Sequence, residues 1–336
     1  MSGRSLRFIC LLSSSLTLSA QSREILLDVV VTDRSSQPVP ALQQSNFTIL
    51  DNKTPQAITS FHAEPAAEVI FVTDEVNTPY QAVLIGRQQL ERYLKQGTLP
   101  LGRPSSLVFF SDAGTLLGAT PSRDRNALLT DLAEQAHRFR EGRRSQGAYG
   151  AFERLQLSLD TLGRMAEYEA NRPGHKLVIW ISPGWALLTS ASVRLTPKNE
   201  QQIFRSIVSI SQVLRQSRIT ICSVDPLGVS DADGLHNSYY KEYLKGVREP
   251  KQVQLADVSL QVIATQTGGL VLNTNNDIAG ELARCFADAT TSYQLTYDAP
   301  VATSPDEYHQ IEIKMSKPGL TARTRTGYYG QPVPNP

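Results

Sequence analysis

Apolar positions follow two rhythms along this chain. At both ends they alternate with polar residues, and in the middle short apolar runs are separated by stretches of helical period. Glu24–Asp33 reads EILLDVVVTD, a strongly strand-forming run. Asn46–Leu50 and Gln56–Phe61 alternate across a turn at Asp51–Pro55, which predicts an antiparallel meander with one wet face. Three strands of this length bury too little apolar surface to stand alone. Similar runs recur at Ser292–Tyr297, Tyr308–Lys314 and Leu320–Arg325. The expectation is one β-sandwich built from residues 21–62 and 293–331, with the middle of the chain inserted into it.

In that middle region, strand-like runs fall at Val69–Asp74, Ser106–Ser111, Leu116–Ala119, Lys176–Ser182, Ile219–Asp225 and Gly269–Asn273. Helical patterns occupy 81–95, 123–138, 150–169, 199–216, 254–267 and 277–291. Such alternation predicts a doubly wound, mostly parallel six-stranded sheet with helices on both faces. Only Asp112–Thr115 separates the second run from the third, too few residues for a crossover helix. Those two runs are expected to form an antiparallel hairpin, with the third strand at a sheet edge.

Composition narrows the class. With 40% apolar and 19% charged residues the chain reads as globular, and a net charge of +1 argues against a nucleic-acid partner. Arg4 and Arg7 precede a short apolar run from Phe8 and a small-residue stretch ending at Ala20, the pattern of a signal peptide over residues 1–20. No later stretch carries the ~18 consecutive apolar residues of a transmembrane span. An exported protein is expected: periplasmic, cell-surface or secreted. Beyond Cys10 in the leader, Cys222 and Cys285 are expected to be buried thiols, with a disulfide between them as the alternative in an oxidising compartment.

The first middle strand stops at Asp74 and is followed by Glu75-Val76-Asn77-Thr78-Pro79. An acidic residue at the carboxyl end of a parallel strand lies where open sheets place their ligands. Together with the edge hairpin this resembles the von Willebrand factor type A fold over residues 66–292. With Asn46–Asp51, Ile181–Trp185 and Thr326–Tyr329 included, the chain resembles the exported VWFA-related proteins of acidobacteria. The resemblance implies a metal-ion-dependent adhesion site that holds Mg²⁺ through carboxylate and hydroxyl oxygens. Asp74 matches its first acid, Thr78 its second hydroxyl, and Ser182 stands in the loop after the fourth strand. Val76 replaces the first hydroxyl and Pro183 the second acid, so the implied site is degenerate, with Mg²⁺ weakly held or lost. Glu75 is a substitute ligand or a solvent-facing acid, and Asp74 alternatively caps its own loop by accepting backbone N–H groups.

No histidine spacing for a metal, nucleophile elbow or phosphate loop occurs, so no catalytic residue is expected, and no cofactor other than the Mg²⁺ of the degenerate site. The expected function is a non-enzymatic adhesion or protein-binding module. It presents Asp74, Glu75, Asn77, Thr78 and Trp185, the last partly exposed, to a protein or matrix ligand. The alternatives are an enzyme or small-molecule binder using the same crevice, and a metal-free structural component of the cell envelope. Before the third helix Ser145 is the only hydroxyl near the implied site's remaining threonine position. Two further features could meet a partner: the basic run Arg138–Arg144, alternatively a solvated loop, and the long loop Pro226–Pro250 with Asp231, Asp233, Tyr239 and Tyr240, alternatively an insertion of no consequence.

Overall fold

A computed structural model describes residues 24–332 except 98, 118–119, 137–146, 186–194 and 231–237. Residues 1–20, expected to be a signal peptide, with Cys10, and the basic run Arg138–Arg144 with Ser145, Asp231 and Asp233 lie outside the described residues. The chain opens with β1 (Glu24–Thr32), β2 (Phe47–Asp51), β3 (Thr54–Gln56) and β4 (Ser60–Ala63). It continues as β5 (Glu68–Asp74), α1 (Tyr80–Lys95), β6 (Ser105–Ser111), β7 (Gly114–Leu117), α2 (Arg125–Ala136) and α3 (Gly147–Ala170). Next come β8 (Lys176–Ile181), α4 (Pro197–Gln216), β9 (Ile219–Val224), α5 (Leu260–Gln266), β10 (Val271–Leu272) and α6 (Ile278–Asp288). β11 (Tyr293–Asp298), β12 (Glu307–Met315), β13 (Thr321–Arg323) and β14 (Gly327–Gly330) close it.

The middle forms a six-stranded sheet in the order β10-β9-β8-β5-β6-β7. Every pairing is parallel except β6 with β7, the expected edge hairpin. All seven residues of β5 are buried, and their alternation feeds two cores. Ile70 and Val72 pack with Val178, Trp180 and Ile221 against α3, α4 and α5. Val69 and Phe71 pack with Ile179, Ile181 and Cys222 against α1, α2 and α6. Cys222 and Cys285 are free and buried in this second core. No described helix is long and apolar enough to cross a membrane.

The ends of the chain form two four-stranded antiparallel sheets, β13-β1-β11-β4 and β14-β12-β2-β3. Leu27, Val29, Leu295 and Tyr297 of the first share one apolar cluster with Phe47, Ile49, Ile311 and Tyr328 of the second. The N-terminal meander is a correction. The antiparallel pair across Asp51–Pro55 forms as expected between β2 and β3, but β2 also pairs with β12, and β1 pairs with β11 and β13 in the other sheet. The predicted strand Gln56–Phe61 also divides. β3 pairs with β2, and β4 pairs with β11. Local alternation fixes which face of a strand is apolar but does not choose its neighbour, and here the C-terminal strands supply the neighbours for both sheets.

Ionic contacts join these sheets to the central body. Arg218, between α4 and β9, meets Asp28 of β1 at 2.6 Å and Glu64 at 3.1 Å. Arg323 of β13 bridges both carboxylate oxygens of Asp288 on α6, at 2.7 and 2.8 Å.

Candidate functional site at the end of the first central strand

Asp74 ends β5 at the carboxyl edge of the sheet and is 1% exposed. Its Oδ1 accepts the backbone N–H groups of Val76 (3.0 Å) and Asn77 (2.8 Å), which is the loop-capping turn expected of an aspartate here. Its Oδ2 accepts from the Asn77 side-chain amide at 2.9 Å and from the indole Nε1–H of Trp180 at 3.0 Å. Asn77 Nδ2 also reaches Ser158 Oγ on α3 at 2.9 Å, tying the loop to the neighbouring helix. Burial raises the Asp74 carboxyl above the usual range, while the Asn77, Trp180 and Ser182 hydrogen bonds oppose the rise.

Strand register explains the tryptophan. Trp180 pairs with Val72 in the adjacent parallel strand, and Asp74 lies two residues on, on the same face of the sheet. A buried indole needs an acceptor, and the nearest strand end supplies a carboxylate. Trp180 is at the same time a core residue, 0% exposed, and its bond to Asp74 has a signal in the sequence. Its available signal was a tryptophan in the strand beside one that ends in aspartate.

The other expected site residues are arranged differently from one another. Val76 is fully buried, as its place in an apolar core demands. Thr78 is 1% exposed and its Oγ1 has no hydrogen-bond partner. Ser182 Oγ accepts the N–H of Gly184 at 3.2 Å. Glu75 is a correction: rather than facing solvent, it turns toward α1, 4.0 Å from Arg87, with its side chain 11% exposed. Arg87 is itself buried and donates to the Leu132 carbonyl at 3.2 Å, which fixes the cation that Glu75 faces.

Trp185 is also corrected. It is 1% exposed and packs edge-on against Trp180 with ring centroids 5.5 Å apart. The loop that carries it is held from above. Gln261 of α5 donates to the Pro183 carbonyl at 3.0 Å and accepts from Tyr239 Oη at 3.4 Å. Gly184 takes φ +113° directly beneath that amide, where a Cβ would lie 2.3 Å from Gln261 Nε2. Tyr239 belongs to a short 3-10 turn, Tyr239–Tyr243, within the long loop after β9, so this part of the loop covers the sheet end.

These residues do not fit a divalent cation. A hard cation needs oxygen atoms free to face it. Here the Trp180 and Asn77 N–H groups occupy Asp74 Oδ2, Ser182 Oγ is committed, and Val76 and Pro183 offer no ligand. Thr78 alone keeps an uncommitted hydroxyl among the three expected ligands. Among the described residues, no group of three or more histidine, cysteine or acidic side chains is arranged to hold a metal.

A second set of carboxylates lies near β9 and α6. Asp225 Oδ1 caps the following turn through Leu227 N at 2.8 Å. Glu281, 6% exposed, keeps Oε2 without a hydrogen-bond partner, and burial pushes its carboxyl up to about 7. Arg284 opposes that rise, and Asp225 and Asp277 add to it.

No protein-family model matches this chain, and no curated protein matches it. Among solved structures, manganese-loaded TRAP protein of Plasmodium vivax is similar at a TM-score of 0.36 and 11% identity, covering 83% of this chain and 100% of that one. A likeness this remote says nothing about manganese here.

Proposed function

We propose that this chain is an exported, non-enzymatic binding module of von Willebrand factor type A kind, carried on a β-sandwich of its two termini, that contacts a protein ligand without a metal ion. The supporting observation is the contrast at the carboxyl end of β5. Asp74, Thr78 and Trp185 are buried, whereas α1, which the same loop launches, exposes Tyr80 (39%), Leu84 (45%) and Ile85 (42%). Adjacent exposed apolar side chains are a common mark of protein-binding surfaces. Val229, on the loop after β9, is 53% exposed, and Gly86 of α1 packs against Pro226 of that loop. On this reading the partner meets the outer face of α1 and the neighbouring loop, with Asn77 at the margin. The Asp74 cluster holds that surface in place.

The test is retention of envelope proteins on the immobilised chain, compared with a Leu84→Glu/Ile85→Glu variant. Binding that survives EDTA and disappears in the variant supports the reading. Binding that needs a divalent ion, or that the variant retains in full, contradicts it. A metal-free structural role is the second reading, favoured by the internal saturation of Asp74, and it predicts no retained partner.

A further inference from the structure

The second half of α4, α5 with the turn before it, and the approach to β14 line a cavity of about 30 Å³. Its walls are largely apolar, yet Ser211, Gln266, Thr326, Asp257 and Arg325 also line it. Arg325 is the anomaly. It is 8% exposed, and no described residue accepts a hydrogen bond from it or forms a salt bridge with it. The opposite charge that acts on it, Asp28, is committed to Arg218 at 2.6 and 3.3 Å. Burial first, and the positive charge of Arg215 second, lower the Arg325 guanidinium to about 10.

A guanidinium carries five N–H donors in a fixed fork and stays charged in proteins. Leaving it buried without an acceptor is far costlier than burying a neutral polar group, and such orphans commonly mark an ordered water or ion. A water needs ~10–15 Å³ of such space, so this cavity has room for about two waters or one small tetrahedral anion. Asp257, the one acid on the wall, has Oδ2 held by Gln254 N at 2.7 Å, and burial pushes its carboxyl toward neutrality, up to about 6.

We propose that this cavity binds a small oxyanion of the phosphate or sulfate class, seated on the Arg325 guanidinium with the Gln266 amide and the Ser211 hydroxyl as neutral donors. Arg325 belongs to the C-terminal strand region, while Ser211 and Gln266 belong to α4 and α5. The anion therefore bridges the antiparallel sheets to the central body, with Arg325 as the one cation on the wall and Asp257 as the one acid.

The experiment is a calorimetric titration of inorganic phosphate into the full chain and into Arg325→Gln, with chloride keeping ionic strength constant. The expected result is saturable uptake of one phosphate per native chain, weakened at least about tenfold in the variant as a charge-assisted contact is lost. If near-ultraviolet circular dichroism shows that Arg325→Gln does not fold, Gln266→Leu takes its place, with uptake weakened severalfold. No saturable uptake by the native chain, which would leave waters as the occupants, overturns the proposal. Undiminished uptake in the folded variant overturns it too.

Discussion

The indole N–H of Trp180 points at Oδ2 of Asp74 from 3.0 Å, and the two residues are 0% and 1% exposed. A carboxylate in such a place needs charge compensation, since burying it alone would drive it to the neutral form. N–H donors supply part of that compensation here: two from the backbone, one amide and one indole. The result is a loop fixed by the protein's own hydrogen bonds.

Trp180→Phe removes the donor while keeping most of the ring against Phe110 and Trp185. Loss of a hydrogen bond to a charged or partly charged buried group costs about 1.5–3 kcal/mol. Urea unfolding is expected to reveal a loss in that range with an unchanged slope. A loss below about 0.5 kcal/mol, the size of an ordinary surface substitution, would mean that the indole is not compensating Asp74.

Asp74→Asn replaces an acceptor with a group that presents N–H donors to the same N–H groups. Both single variants should destabilise, and the double variant Trp180→Phe/Asp74→Asn should lose less than their sum, with a coupling of about 0.5–3 kcal/mol. Strict additivity would separate the two residues energetically.

Glu281 gives a pH prediction whose sign follows from its environment. Its carboxyl is raised in the folded chain from the ordinary 4.5 to about 7. The folded state therefore holds the proton more tightly, so the contribution is complete below pH 4.5 and is lost as pH climbs to about 7. Glu281→Gln should flatten the stability profile across that window and exceed the native chain above it by an amount on the order of 1–3 kcal/mol. Urea midpoints at pH 5 and pH 8 that shift in parallel for both proteins would contradict this.

Arg218→Ala cuts the contacts from the central body to Asp28 and Glu64. Removing one member of a partly buried pair leaves the other charge without compensation, at a cost of about 2–4 kcal/mol. Arg218 also takes φ +53°, where an alanine gains nothing in backbone strain. Calorimetric unfolding should register the loss, and Asp28→Asn should reproduce part of it. A variant as stable as the native chain would show that the apolar packing alone holds the parts together.

The central sheet was legible because its signals are local. A short β-branched apolar run such as Val69–Val72, stopped by Thr73-Asp74, reads as a strand covered on both faces, and the short link between β6 and β7 leaves an antiparallel hairpin as the remaining geometry. The pairing of the terminal strands beyond the β2–β3 hairpin was not, because β1 with β11 and β2 with β12 pair across more than 250 residues, and alternation carries no address. At the site, Asp74 and its capped loop followed from sequence. The turning of Glu75 onto Arg87 and the burial of Trp185 did not, because each depends on a helix or loop packed from above. The Trp180 donation needed strand register, which single-sequence patterns leave open.

The most direct test of a metal-independent Asp74 cluster uses the chain's own reporters. It has two tryptophans, Trp180 and Trp185, hence two indole N–H resonances in a nitrogen-15 correlation spectrum. The Trp180 signal, assigned with Trp180→Phe, should exchange slowly with solvent, shift in Asp74→Asn, and keep its width as Mn²⁺ is added. Selective broadening of that signal by stoichiometric Mn²⁺, reversed by excess Mg²⁺ and absent in Asp74→Asn, would place a cation at Asp74 and contradict the account.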